Sequence, residues 1–538
     1  MDSKLIDEVR AWIEEDPDPV TAAYLSSLLE SKDEITLQKY FSGFLQFGTA
    51  GLRGPIGPGP SCMNQAVVGR TAAGIVEYMK ARSLTSVVIG RDARHGSDVF
   101  EDLSAQIFAG AGFSVSVLPR PLPTPVLAFA VNELGADVGI MVTASHNPGS
   151  DNGYKVYLGG NVDGVNYRGS QIISPADKEI SAEIEKIKSL KLIPRSQTWQ
   201  ILGEEVIEKY VDQTKTLAPH PGELKIVYTA MHGVGTKTLQ RVFHRAGFPS
   251  LILVQDQAEP NPDFPTLKFP NPEEVGALDL AFETATIFNA DLVIANDPDA
   301  DRCSIAVKDR DLTWKALRGD EIGALLGEAI ARNIESGTLA NSIVSSSILS
   351  KIAARHKLDF QETLTGFKYI AKIPDLAFGY EEAIGFCVDS KTVNDKDGIS
   401  AALLVAQIAT DLYVQEKTLL DFLDEIWAIY GFHATEQISV RVTDLASIAE
   451  IMNKLRTQPL SEISGFKVLS SEDLMTPQNA LPPTDGLRFM LENNIRIIIR
   501  PSGTEPKLKC YVEIVNSDKS IALSLLEQLR PSLRELLS

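Results

Sequence analysis

The chain has 538 residues, 44% of them hydrophobic and 23% charged, a globular composition too long for one hydrophobic core, so roughly three to five domains are expected. Lys and Arg total 51 against 71 Asp and Glu, giving a net charge of -20; this excludes a general nucleic-acid or anionic-membrane surface and still permits a local basic pocket for a small phosphorylated ligand. Four scattered cysteines with no CxxC pair read as buried, reduced thiols rather than a disulfide frame or a zinc site.

The N-terminus, MDSKLIDEVRAWIEEDPDP, is acidic and carries neither the basic start nor the uninterrupted apolar run of a secretory signal. The greasy stretch ISAALLVAQIA is too short to span a bilayer. A soluble, cytoplasmic protein is expected, with no membrane and no nucleic acid among its partners.

FGTAGLRG, Phe47 to Gly54, offers Thr49 and Arg53 in a glycine-rich loop that reads equally as a turn. SVVIGRD, Ser86 to Asp92, predicts a strand; a helix, then AGF, a second apolar strand and a proline-rich turn follow. LKIVYTAMHG, from Leu224, opens a second copy of this pattern that reaches AGFPSLILVQDQAEPNP, and NSIVSSSILSKIAARHKLDF, from Asn341, opens a third and looser one. A repeated α/β unit follows.

Between the first two copies lies TASHNPGSDNGYKVY, Thr143 to Tyr157. A hydrolase elbow would read G-x-S-x-G, and adjacent side chains rarely meet as nucleophile and base, so the Ser145–His146 pair does not read as one. NPG and DNG account for a sharp turn. On this loop alone, a chemical role for Ser145 and an ordinary turn both stand. His232, after the second strand, reads as a structural imidazole.

ADLVIANDPDADR begins as a buried strand and ends with Asp297, Asp299 and Asp301. Carboxylates at alternate positions of extended backbone face one side, where they repel unless a cation intervenes, and their hard oxygens suggest Mg2+. An EF-hand loop needs Gly at its sixth position and Glu at its twelfth, where this chain has Arg302 and Lys308. Arg302 is suited to hold a phosphoryl group. With a metal loop in the chain, Ser145 becomes a candidate phosphoryl carrier, with Lys155 for charge stabilisation or proton transfer.

GYEEAIGF, Gly379 to Phe386, TGFK, Thr365 to Lys368, and Lys396 in NDKDG suit sugar hydroxyls or solvated loops alike. After Phe432, QISVRV and KLKCYVEI alternate in period two, with helices near Ser447 to Arg456 and Ile521 to Leu537, as in a smaller α+β domain. RPSGTEPK, Arg500 to Lys507, combines a guanidinium, two hydroxyls and a glycine suited to a phosphate.

Taken together, FGTAGLRG, TASHNPGSDNGYK, DPDADR, EEAIG and RPSGTEPK resemble, in order and approximate spacing, the α-D-phosphohexomutase family of phosphoglucomutases and phosphomannomutases. The resemblance covers nearly the whole chain. It implies a four-domain α/β architecture, three related α/β domains with mixed sheets and a C-terminal α+β domain around a central cleft. With boundaries near Tyr210, Leu312 and Ala434, the expected domains are 1–210 with the phosphoserine loop, 211–312 with the metal loop, 313–434 with the sugar-recognition loop, and 435–538 for phosphate binding.

The resemblance further implies that Ser145 is the phosphoserine and a metal ligand beside Asp297, Asp299 and Asp301. Lys155, Arg302 and Arg53 would stand at the transferred phosphoryl, with Thr49 in the same loop as Arg53. Gly366, Glu381 and Lys396 would read the sugar, and Arg500, Ser502, Gly503 and Thr504 would hold the non-reacting phosphate. The implied partner is a small phosphosugar, with a sugar bisphosphate as activator and intermediate, for a monomer or homodimer. Relatives specific for hexoses often have Ser two residues beyond the first Glu; Ala383 stands there, which resembles the branch that includes phosphopentomutases and sugar-bisphosphate synthases. A metal-dependent phosphatase and a non-catalytic phosphosugar sensor are the rival readings.

Overall fold

The computed structural model describes residues 2–47, 51–441, 445–477, 481–502 and 507–537. The chain divides into two compact units, 1–317 with 385–411, and 318–384 with 412–538.

The first unit starts with three short helices, Ser3–Glu15, Pro19–Ser31 and Glu34–Tyr40, each preceded by an Asp whose carboxylate accepts a first-turn N–H. Those caps satisfy donors that a helix start leaves unpaired. Two α/β layers follow. In the first, strand Ser86–Arg91 pairs in parallel with Ser114–Val117 and Val138–Val142, and the last pairs antiparallel with Asp151–Leu158. In the second, Ile226–Thr229 pairs in parallel with Ile252–Leu253 and Leu292–Ala295, which pairs antiparallel with Ser304–Lys308. Inner strands such as VGIMV and LVIA are buried along their whole length, as parallel strands covered by helices on both faces must be.

In the second unit, Thr338–Ser342 again pairs in parallel with two partners, Asp359–Thr363 and Leu376–Glu381. The repeated α/β pattern is therefore present three times. The third strand begins three residues before Asn341 and ends at Ser342; the rest of SIVSSS leads into helix Ile348–His356. Its hydroxyls explain this, because Ser342 and Ser345 both donate to Glu382 Oε2.

The C-terminal part is a six-stranded antiparallel sheet ordered Phe432–Arg441, Lys507–Asn516, Ile495–Pro501, Leu487–Leu491, Phe466–Asp473 and Glu462–Ile463. Its alternate residues Ile495, Ile497 and Ile499 join a core with Leu526, Leu529 and Leu533 of helix Lys519–Leu536, while Ile498 and Tyr511 on the opposite face are buried with Ile343 and Val344, so the wet face that period-two alternation predicts is covered at the central strands.

Each expected boundary falls within or between closely paired elements: Tyr210 in helix Glu205–Thr214, Leu312 in the turn between strands Ser304–Lys308 and Trp314–Ala316, and Ala434 in strand Phe432–Arg441. ISAALLVAQIA lies in helix Gly398–Tyr413, where Ile399, Leu403 and Val405 are buried, and no helix among the described residues is long and apolar enough to cross a membrane. All four cysteines are buried and unpaired.

Candidate active site

The serine loop grows from the end of a buried strand, where ligand sites of α/β sheets gather. Ser145 follows Val138–Val142 by three residues, has φ of 53° and donates its backbone N–H to Thr143 Oγ1 at 2.9 Å. The chain then returns through Asp151–Leu158, placing Lys155 opposite Met141. Gly153 makes that return possible: a Cβ there would lie 2.5 Å from Thr143 O and 2.7 Å from Leu52 O. Strand Leu52–Pro55 pairs along the same edge, with Arg53 opposite Gly153.

Asp297, Asp299 and Asp301 lie just beyond strand Leu292–Ala295, all buried, with one carboxylate oxygen from each within 4.8 Å of the others. Ser145 Oγ donates to Asp297 Oδ2 at 2.8 Å. Lys155 Nζ donates to Asp299 Oδ2 at 2.7 Å and to Asp301 Oδ2 at 2.8 Å, and Lys396 Nζ stands 3.4 Å from Asp301 Oδ2 and 3.6 Å from Asp395 Oδ1. Arg302 donates its backbone N–H to Asp297 Oδ1 at 3.0 Å. Serine loop, acidic loop and both lysines thus form one buried constellation.

Electrostatics divides the three carboxylates. Burial, then repulsion from Asp299 and Asp301, pushes Asp297 well above the usual carboxylate range. Burial and Asp301 push Asp299 upward too, but Lys155 holds it below its ordinary value, and Lys155 with Lys396 does the same for Asp301. Arg53 is pulled down by burial and supported by Asp299 and Asp301. His146 Nδ1 is 3.4 Å from Ser145 Oγ, but burial and the neighbouring Arg302 and Arg53 hold the imidazole well below its normal pKa. The serine's hydrogen-bond acceptor is Asp297, so the Ser–His reading fails on geometry as well.

The donor set fits a hard divalent cation. Three carboxylates and a hydroxyl converge, and Asp299 Oδ1 and Asp301 Oδ1 are buried without hydrogen-bond partners among the described residues, the latter with Arg302 Nε no nearer than 3.8 Å. Buried anionic oxygens left unpaired are costly unless a cation takes them.

In the second unit, Gly366 has φ of 114°, open to glycine, and donates its N–H to Glu381 Oε1 at 2.7 Å. The sugar-reading candidates Gly366 and Glu381 are therefore hydrogen-bonded neighbours. Arg500 sits near the end of strand Ile495–Pro501, and Ser502 N–H donates to Lys507 O at 2.8 Å. Thr49, Gly503 and Thr504 lie outside the described residues.

Sequence reasoning did not find three supports of the constellation. Thr124 donates its hydroxyl to Asp299 Oδ2 at 2.6 Å and its N–H to the Asp299 carbonyl at 2.9 Å. Asn296 donates to the Arg302 carbonyl at 2.6 Å and accepts from Tyr228 OH at 2.9 Å. Arg94 donates to carbonyls of the serine loop. The available signal was positional: Thr124 and Arg94 follow strand ends in PLPTP and GRDAR. His232, read as structural, is hydrogen-bonded to Thr266 at 2.8 Å.

Four domain models match in order: "Phosphoglucomutase/phosphomannomutase, alpha/beta/alpha domain I" over residues 45–191, domain II over 207–310, domain III over 318–430, and the C-terminal domain over 438–528. A "Probable phosphomannomutase" of Haemophilus influenzae is 46% identical over 481 residues, covering 88% of this chain and 98% of that protein. Human phosphopentomutase is 34% identical over 602 residues, covering 100% and 95%, and mouse glucose 1,6-bisphosphate synthase is 32% identical, covering 98% and 92%. Among solved structures, the open form of Paramecium parafusin, a phosphoglucomutase, matches with a TM-score of 0.70 at 20% identity, covering 92% of this chain and 95% of that one.

Proposed function

The chain belongs to the phosphoglucomutase/phosphomannomutase family of mutases, and from that premise we propose that it moves a phosphoryl group between the 1- and 6-positions of a hexose phosphate, glucose phosphates leading. One observation carries this reading: the buried Ser145 hydroxyl points at Asp297 within an acidic triad whose other two carboxylates share the Lys155 ammonium.

Ser145 is the phosphoryl carrier in this proposal. Asp297, Asp299, Asp301 and the serine oxygen would hold Mg2+, whose chemistry there is to neutralise charge on the transferred phosphoryl oxygens. As the phosphoserine O–P bond breaks, a sugar hydroxyl oxygen makes the new one and its proton ends on the released Ser145 Oγ; the Lys155 ammonium can give one proton to that oxygen as it takes the hydroxyl's, while Arg53 and Arg302 hold phosphoryl oxygens. The resulting bisphosphate turns over, and its other phosphate returns to Ser145. Gly366, Glu381 and Lys396 read the sugar, while Thr49 accompanies Arg53, and Arg500, Ser502, Gly503 and Thr504 take the distal phosphate. We place the enzyme in the cytoplasm as a monomer or homodimer activated by a sugar bisphosphate.

A pentose phosphate is the second substrate reading, favoured by Ala383, which removes a hydroxyl from the sugar-reading loop, and by relatives named phosphopentomutase along the whole chain. Mannose phosphate and bisphosphate synthesis complete the panel. Coupled assays of glucose, mannose and ribose 1-phosphates with Mg2+ and catalytic bisphosphate rank them. Intact mass should show a phosphate-sized addition on the wild type and none on Ser145→Ala. No isomerisation of any monophosphate, or full turnover by Ser145→Ala, sinks the proposal.

A further inference from the structure

Arg94 stands behind the serine loop rather than in front of it. Its side chain is 1% exposed, and its guanidinium gathers four main-chain carbonyls of one loop. Nη2 donates to Ser145 O at 2.7 Å and Asn147 O at 2.6 Å; Nη1 donates to Pro148 O at 2.7 Å and Asp151 O at 3.1 Å. Nε lies 3.3 Å from Asp92 Oδ2, and the guanidinium carbon lies 5.0 Å from the ring centre of Phe264. Asp92 is itself held: its Oδ1 accepts from Arg94 N–H at 3.0 Å and Ser97 Oγ at 2.7 Å, and its own N–H donates to Val142 O at 3.0 Å.

We propose that Arg94 is a positioning residue for phosphoryl transfer, a clamp that fixes the serine loop through its carbonyls and so aims Ser145 Oγ; this rests on the carrier role proposed above. The loop's own bonds are short-range, Ser145 N–H to Thr143 Oγ1, Asn147 N–H to Ala144 O and Asn147 Nδ2 to Asp151 Oδ2, whereas Arg94 gathers carbonyls from both its ends. Ser145 adopts a left-handed φ of 53°, a conformation a β-substituted residue keeps only when its surroundings over-determine it. A planar fork of five donors can meet four carbonyls at fixed directions, which an ammonium on a flexible stem cannot. The four carbonyl dipoles end on the guanidinium instead of facing a phosphoryl dianion. Arg94 touches no reacting atom, and its effect reaches the reaction only through the angle and position of Oγ.

Arg94→Met and Arg94→Lys test the clamp beside wild type and Ser145→Ala. Misplacing a reacting group by an ångström costs on the order of 100-fold in rate, so Arg94→Met should lose about that factor in kcat with KM within about threefold, and Arg94→Lys should fall between. A residue that only supports the fold would lower the melting midpoint and leave kcat per folded molecule unchanged. Hydrogen exchange gives a reading independent of catalysis: amides of residues 143–151 should exchange faster in both variants, and those of strand Val138–Val142 should not. Wild-type kcat or unchanged loop exchange in a folded variant overturns the clamp; if Arg94→Met does not fold, Arg94→Lys alone decides. An inert wild type that never carries phosphate on Ser145 overturns the carrier role instead, and loop exchange still judges the clamp.

Discussion

Asp297→Asn separates what the triad costs from what it does. Carboxylate oxygens of Asp297, Asp299 and Asp301 lie within 4.8 Å of one another, so at an effective dielectric near 20 each pair of charges repels by at least about 3.5 kcal/mol. Neutralising Asp297 removes two such pairs and forfeits attraction to Arg302, but burial and the two neighbours already push this carboxyl well above the usual range, so its own proton relieves much of the repulsion in the metal-free protein; roughly 1–3 kcal/mol of net relief remains. Asn can keep the geometry, its carbonyl accepting from Arg302 N–H and its amide facing Ser145 Oγ, the two partners Asp297 now has. In chelator-treated protein the variant should therefore melt several degrees higher than wild type. Added Mg2+ should reverse the order: a cation at 100 times its Kd stabilises wild type by about 2.7 kcal/mol, and the variant should gain little. Thermal melts with and without Mg2+, beside turnover, read all of this. A variant that melts lower without metal and still gains the full Mg2+ increment refutes both the repulsion argument and the assignment of Asp297 as a ligand.

Lys155→Met should destabilise the protein by about 3–5 kcal/mol, because it strands Asp299 and Asp301 without the ammonium between them; denaturant unfolding measures it, and adding Asp301→Asn should recover part of the loss. Thr124→Val removes the hydroxyl bonded to Asp299 at 2.6 Å without changing shape, and should weaken Mg2+ binding by about 10–100-fold in calorimetric titration. Burial, opposed by Arg91, lifts Glu101 from 4.5 to about 7. The folded carboxyl thus holds its proton more tightly than the unfolded one, and the stability it contributes below 4.5 is lost as pH rises through about 7. Glu101→Gln should flatten the fall in melting midpoint across that window, and an unchanged slope would refute the assignment.

The chemistry-bearing loops were legible because each is short and local. DPDADR shows its three carboxylates at alternate positions, and TASHNP and DNG show a turn around a hydroxyl, so an acidic triad suited to a metal and a serine-bearing loop could be read without a fold. Strand periodicity likewise disclosed three related α/β units and the C-terminal sheet, since burial on two faces or one leaves a direct mark on residue order.

What tertiary structure alone decided is which distant groups meet. Ser145 and Asp297 are 152 residues apart, Lys155 and Asp299 are 144, and Thr124 and Asp299 are 175. No pattern in the intervening residues encodes those contacts, which join groups carried by two different sheets. Nor could the sequence show that Ser145 bonds Asp297 rather than serving His146, or that Arg94 turns a surface-type residue into a buried bracket for four carbonyls. Side-chain type is written in the chain; the partner that satisfies a buried charge is chosen only when folding removes water and leaves that charge a small set of neighbours.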